Sequence, residues 1–316
     1  MRIEIGVVQA APSIPQSASG SPPPAAASAA ERVRAFADLT KPRLLPMVLF
    51  TGIPVFGMAA GGWPPLGFAA ATLLGIALAA ASANTLNAYL ERDRDARMER
   101  TRNRPLPAGR LSPRAALAFG LLLGALSTGL LLALAGPAAA AVGVASILFY
   151  VFVYTIWLKP RSPWNVVIGG AAGAAAPLIA DVAVHGTVTA AGLCLFAIVF
   201  FWQPPHVWAI ALYRRRDYEA AGIPMLPSVI GEEATRRRML AYAVGLVPVT
   251  LGPWALGFAG PFYLAVALGA NAWFVASIVR LLRARDDAAA QRVFRVSLVL
   301  LFALFLALNV DLLARL

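Results

Sequence analysis

The chain has 316 residues, 59% of them apolar and only 13% charged, about half the charged share of an ordinary soluble domain. The formal net charge of +12 argues against a nucleic-acid partner once its placement is seen, because the basic residues sit in short segments between long apolar runs. The lone cysteine, Cys194, lies inside one of those runs as a small apolar residue, so neither a disulfide framework nor a cysteine-based metal cluster is available.

Residues 1–30 are rich in Ala, Pro and Ser. They lack a cationic start followed by an apolar core and a cleavage site, and hold too few arginines for a mitochondrial presequence. They read as a disordered cytoplasmic tail ahead of one domain, 31–316. Nine apolar runs follow, at about 44–60, 66–90, 115–135, 137–158, 164–184, 190–212, 239–258, 261–281 and 295–313. Each is long enough to cross the ~30 Å hydrocarbon core as a helix. Links such as Gly61-Gly62-Trp63-Pro64-Pro65 and Ala135-Gly136-Pro137 end helices without a long loop. The predicted fold is all-α, a polytopic transmembrane bundle of nine spans joined as tight antiparallel hairpins. Of the 27 Lys and Arg, 26 fall before span 1 or in the links 2–3, 4–5, 6–7 and 8–9, leaving only Arg315. Cytoplasmic loops carry such an excess, so the N-terminus is placed in the cytoplasm and the C-terminus on the far side.

Span 2 runs into Asn87, Glu91 and Asp95, spaced i, i+4, i+8 and therefore stacked on one helical face over roughly 12 Å. Asp93 points elsewhere. An amide and two carboxylates at a membrane-embedded helix end are costly without a partner. Hard oxygen ligands in a row suit Mg²⁺, which is held by carboxylates together with substrate phosphates. The loop that follows, Glu99-Arg100-Thr101-Arg102-Asn103-Arg104-Pro105-Leu106-Pro107, supplies guanidiniums that fork onto phosphate oxygens. Carboxylates alone would repel a diphosphate, whereas carboxylates with Mg²⁺ and arginine hold it as a leaving group. The plainer reading of the arginines, anchoring at the positive face with Asp93 paired to Arg97, stays open.

Span 4 ends Tyr154-Thr155-Ile156-Trp157-Leu158-Lys159, which brings a phenol and an ammonium to the same face; Lys159 is either part of the anion clamp or snorkels. Span 5 carries Gly169, Gly170 and Gly173, a close-packing face for a neighbouring helix or room for a bulky ligand. Asp181, further along it, falls where a small or apolar residue is expected. Span 6 contains Gln203-Pro204-Pro205-His206. The two prolines predict a break or kink that frees backbone groups toward a cavity. His206, some 10 Å deep, is either a packing hydrogen bond or a substrate contact. Tyr213, Asp217 and Tyr218 follow, with Asp217 a second metal ligand or a partner of Arg214.

These residues resemble the UbiA-type intramembrane prenyltransferases. The family's first motif, Asn-x-x-x-Asp/Glu-x-x-x-Asp, matches Asn87, Glu91 and Asp95. Its heme-modifying branch is matched by Leu39-Thr40-Lys41-Pro42-Arg43, by Asp95-Ala96-Arg97-Met98 through Arg104-Pro105-Leu106-Pro107, by Trp157-Leu158-Lys159, by Pro204-Pro205-His206, and by Asp217-Tyr218 to Ala221-Gly222-Ile223-Pro224-Met225-Leu226-Pro227. The likeness runs from about Leu39 to Leu316. One departure is that Asp217 stands with Tyr218 and Glu219 where most of the superfamily repeats Asp.

The resemblance implies a multi-pass enzyme of the bacterial inner membrane that transfers a farnesyl group from farnesyl diphosphate to a vinyl group of heme b, adding water and releasing diphosphate, in heme a biosynthesis. Asn87, Glu91 and Asp95 would hold the metal, with Asp217 as a further catalytic residue. Arg102, Arg104, Tyr154, Lys159, His206, Tyr213 and Tyr218 would bind substrate. Contact with heme A synthase, the next enzyme, is left open. The nearest alternative is a prenyltransferase acting on a quinone precursor or another aromatic acceptor. A transporter is disfavoured, since the charges cluster at one face with no midplane relay or inverted repeat.

Overall fold

The computed structural model describes residues 28–58 and 62–314. Most of the expected N-terminal tail and part of the Gly61–Pro65 link lie outside these residues. The described residues are all-helical: α1 (Ala29–Leu39), α2 (Leu45–Gly57), α3 (Leu66–Asp95), α4 (Pro113–Leu148) with a π-helical continuation Phe149–Leu158, α5 (Asn165–Gly173), α6 (Ala175–His185), α7 (Ala190–Tyr213), α8 (Arg215–Ala220), α9 (Leu226–Ile230), α10 (Glu232–Ala255), α11 (Pro261–Ala284) and α12 (Asp287–Leu313). The helix α1 starts inside the last residues of the expected tail, where Ser28 and Glu31 form a reciprocal cap.

Among the described residues, six helical stretches are long and apolar enough to cross a membrane. The longest, Pro113–Leu158, covers two expected runs. Gly136 divides it, at φ 87° and ψ 168°, a conformation open to glycine but strained for other residues. The chain turns back there, since Leu131 before the break packs onto Gly143 after it. The helix α2 has only 13 residues, and α10 opens with the charged stretch Glu232 to Arg238.

The helices close into a ring. Consecutive neighbours pack from α2 through α3, α4, α6, α7, α10 and α11 to α12, and α12 packs back on α2. The outer surface is apolar: Leu121, Leu126, Phe152, Leu193, Phe262, Trp273 and Phe302 are each about half exposed, which suits lipid contact.

Two expectations change. The double proline does not break α7, which runs unbroken from Ala190 to Tyr213. Each proline removes its own N–H, and the flanking ladder carries the helix through. The break falls instead in the small-residue span, between α5 and α6 at Ala174. Gln203 of α7 lies there, its side-chain amide donating to the Gly170 carbonyl at 3.0 Å. The small residues of α5 are therefore a packing face: a Cβ on Gly169 would overlap the Tyr154 ring, and one on Gly173 would crowd Gln203.

Asp181 acquires a role. Fully buried, it accepts from the backbone N–H of Thr189 at 2.6 Å and from its hydroxyl at 2.7 Å, and lies 2.9 Å from His185 Nδ1. It thus ties α6 to the first turn of α7. Asp311 does the same for α11, accepting from the N–H of Gly260 at 2.6 Å and of Tyr263 at 3.0 Å. Helix N-termini offer unpaired N–H groups and a positive dipole end, so a buried carboxylate is stabilised there. Asp181→Ala should strand the Thr189 N–H and cost about 1–3 kcal/mol. It should lower the thermal midpoint of the detergent-solubilised protein while leaving KM for its substrates near the wild-type value; an unchanged midpoint would remove Asp181 from this structural role.

Candidate active site

The helix α3 outlasts its apolar run and stays helical to Asp95. Asn87, Glu91 and Asp95 therefore line one face, and they are only 2%, 3% and 2% exposed. Buried carboxylates are tolerated only when paired, and both are. Lys159 Nζ lies 2.6 Å from Glu91 Oε2, and Arg104 donates to Asp95 Oδ2 at 2.8 Å. Lys159 is thus held in the cluster rather than snorkelling outward.

The π-helical segment shapes this contact. Its wider turn is seen where Thr155 Oγ1 donates to the Tyr150 carbonyl at 2.8 Å and the Lys159 N–H to the Tyr154 carbonyl at 2.9 Å. Single π turns are frequent at functional sites. Thr155 and Lys159, four apart, then face α3 together. With its own proton committed to Tyr150, the Thr155 hydroxyl accepts from Asn87 Nδ2 at 3.1 Å. This fixes the amide so that Asn87 Oδ1 faces Lys41, whose Nζ donates to it at 3.0 Å. Tyr154 lies beside Lys159, the ammonium 5.7 Å from its ring.

Lys41 is held at φ 55° and precedes Pro42. Left-handed backbone costs a non-glycine residue about 1–2 kcal/mol, a strain that collects at functional sites. Burial first, then the nearby Arg104 and Lys159, pull its ammonium down to about 7, against the opposing pull of Glu91 and Asp95. Three cations crowding two carboxylates is the arrangement of a site shaped for a further anion. The loop after α3 is pinned by fully buried Thr101, whose hydroxyl donates to the Asp95 carbonyl at 2.8 Å. Lys41, Thr155 and Thr101 escaped sequence reasoning as individual site residues. The signal for Thr155 was its position four residues before Lys159.

A divalent metal fits these residues. Glu91 Oε1 and Asp217 Oδ2 are buried without a hydrogen-bond donor, so each presents a free lone pair. Among the described residues no group of three or more His, Cys, Asp or Glu gathers. The set is therefore Asn87 with carboxylates, a partial shell that a phosphate-bearing substrate would complete.

The remaining expected residues divide. Arg102 is exposed and makes no ion pair with the cluster. Asp93 lies near Arg92, at 3.8 Å, rather than pairing with Arg97. Asp217, in the first turn of α8, forms no ion pair with Arg214. His206 packs between the Trp202 ring, 4.3 Å away, and the Phe294 ring, 4.8 Å away. Its Nδ1 lies 2.7 Å from Ser297 Oγ. Ser297 Oγ donates to the Phe294 carbonyl at 2.6 Å, which leaves its lone pair to accept from an Nδ1–H. Tyr213 touches Phe294 from above, ring to ring at 6.4 Å. Tyr154 packs against Tyr150, ring to ring at 5.1 Å, and against Gly169 of α5.

Residues 48–308 match the UbiA prenyltransferase family. The protoheme IX farnesyltransferase of Symbiobacterium thermophilum is 46% identical over 281 residues, which are 88% of this chain and 94% of that protein. That of Parvibaculum lavamentivorans is also 46% identical, over 88% of each chain. Among solved structures, a digeranylgeranylglyceryl phosphate synthase superposes with a TM-score of 0.75 at 18% identity, over 90% of this chain and 99% of its own. A UbiA homolog from Archaeoglobus fulgidus bound to GPP and Mg²⁺ gives a TM-score of 0.58 at 19% identity, over 88% of this chain and 98% of its own. The chain belongs to the UbiA prenyltransferase family, in the group of the protoheme IX farnesyltransferases.

Proposed function

We propose that the protein transfers the farnesyl group of farnesyl diphosphate to a vinyl group of heme b, with addition of water, giving heme O and diphosphate. The observation that carries this reading is the buried cluster of Asn87, Glu91 and Asp95 against Lys41, Arg104 and Lys159. The relatives' protoheme IX farnesyltransferase names support heme b as acceptor. The chain crosses the bacterial inner membrane nine times, with its N-terminus in the cytoplasm, a topology supported by the charge asymmetry of its links.

Asn87, Glu91 and Asp95 would hold Mg²⁺; when bound, the ion neutralises the diphosphate and eases its departure. Asp217, whose Oδ2 is buried without a donor, is a further catalytic carboxylate apart from that set. Lys41, Arg104 and Lys159 each carry N–H donors that swing from Asn87 and the carboxylates onto phosphate oxygens. The C1–O bond of the farnesyl donor breaks with its electron pair leaving on diphosphate. The vinyl π pair of heme b then forms the new C–C bond. Water adds to the resulting cation beside the macrocycle and releases one proton, giving the hydroxyethylfarnesyl group. Tyr154, beside Lys159 and packed on Gly169, forms a wall that keeps water from the allylic cation. His206 contacts the porphyrin, oriented by Ser297.

Purified protein given farnesyl diphosphate, heme b and Mg²⁺ should yield heme O by mass spectrometry, and no prenylated 4-hydroxybenzoate under the same conditions. The opposite acceptor preference would overturn the heme reading. Glu91→Ala or Asp95→Ala should lower the rate by about 10²–10³-fold, as loss of one electrostatic stabiliser does; wild-type rates in both would sink the metal site. Thr155→Val, which removes the acceptor that orients Asn87, should weaken apparent Mg²⁺ affinity several-fold, while Thr155→Ser restores it. Equal affinities in the two variants would rule out that orienting role.

A further inference from the structure

Two exposed arginines outside the diphosphate cluster each lie over an aromatic ring near the end of α7. Arg100, in the loop after α3, lies with its guanidinium carbon 5.7 Å from the centre of the Tyr218 ring. Arg214, at the junction of α7 and α8, lies 5.9 Å from that of Tyr213. They come from separate parts of the chain, yet the Tyr218 ring beneath Arg100 belongs to a residue whose N–H donates to the Arg214 carbonyl at 3.4 Å. Neither arginine forms an ion pair with a described carboxylate, although Glu99, Asp217 and Glu219 are close in sequence. Arg104 and Lys159, by contrast, are committed to Asp95 and Glu91. A guanidinium resting on an aromatic ring keeps its N–H edge free for bidentate contact with a carboxylate.

Below this pair the aromatic contacts continue inward. Tyr213 meets Phe294, Phe294 meets His206, and His206 stacks on Trp202. From Trp202 to Tyr213 along α7 is roughly 16 Å by helix rise, an unbroken run of rings packed on one another between α7 and α12. Two exposed arginines without ion pairs, set above a run of aromatic rings, match a flat apolar ligand with two carboxylates on one edge.

We propose that Arg100 and Arg214 form a dicarboxylate subsite that receives the two propionates of the heme acceptor, a refinement that rests on the farnesyl-transfer reading. Anchored by that edge, the macrocycle points its vinyl edge into the bundle. The reacting vinyl then lies at the depth of Asn87, roughly 12 Å down α3 from Asp95, where the allylic end of the donor would sit below its diphosphate. Acceptor choice follows from the same geometry, because an acceptor with no carboxylate pair leaves both guanidiniums unmatched.

The test compares protoheme with its dimethyl ester as acceptors for the purified full-length protein. The wild type should prefer the free acid by on the order of tenfold or more in kcat/KM, the worth of a charge-assisted hydrogen bond. In the Arg100→Gln/Arg214→Gln protein the preference should fall below about twofold, the limit set by losing that bond, with KM for farnesyl diphosphate near wild type. Each single variant should lose part of the preference, which guards against a double variant that does not fold. A double variant that still favours the free acid tenfold, or a wild type indifferent to esterification, would overturn the subsite while leaving farnesyl transfer intact. A wild type that farnesylates neither porphyrin would overturn the underlying reading instead.

Discussion

The structure turns on a pair of contacts at the end of one helix. Glu91 and Asp95 are buried where α3 leaves the apolar layer, and neither could stay ionised there without a cation in contact. Lys159 and Arg104 provide it, from a π-helical segment and from a loop. Their distance from one another in the sequence is the reason several elements must converge. The loop after α3 must fold back, so Thr101 pins it to the Asp95 carbonyl. The end of α4 must present Lys159 and Thr155 to α3, and the wider π turn lets both face it. Even the strained backbone of Lys41 serves to place a third ammonium against Asn87.

The rest of the fold holds that convergence in place. Tyr154 lies against α5 because Gly169 leaves room for its ring, and Gln203 occupies the space beside Gly173. At the other end of the bundle, Asp181 and Asp311 each fasten a helix start to a neighbouring helix. Buried carboxylates thus do two kinds of work here. Those answered by backbone N–H groups fix the scaffold, while those answered by mobile lysine and arginine side chains can exchange their partners for an anionic substrate.

How much of this was legible in the sequence follows from the range of each interaction. The all-helical fold and the face shared by Asn87, Glu91 and Asp95 are local consequences of apolar run length and i, i+4 spacing, and both are present in the structure. The reversal at Gly136 was equally local. The pairing of Lys159 with Glu91 spans 68 residues and could only be guessed from a phenol and an ammonium on one face. Asp181 made no sense alone, because its partner is a helix start that the sequence does not place beside it. The two prolines of α7 leave that helix unbroken, and the break falls in a different span, at Ala174 between α5 and α6. Arg100 and Arg102 look alike in sequence. Both are exposed, and only the position of the Tyr218 ring, over which Arg100 lies, separates them.

The central claim is that the cluster on α3 holds a diphosphate through a metal rather than through its cations alone. The most direct measurement is calorimetric binding of a non-hydrolysable farnesyl thiodiphosphate to the purified protein, with Mg²⁺ and with excess chelator. The account requires binding with Mg²⁺ that falls by at least about tenfold in chelator, a difference of roughly 1.4 kcal/mol, and a comparable loss in Glu91→Ala with Mg²⁺ present. Equal affinity with and without the metal would contradict it.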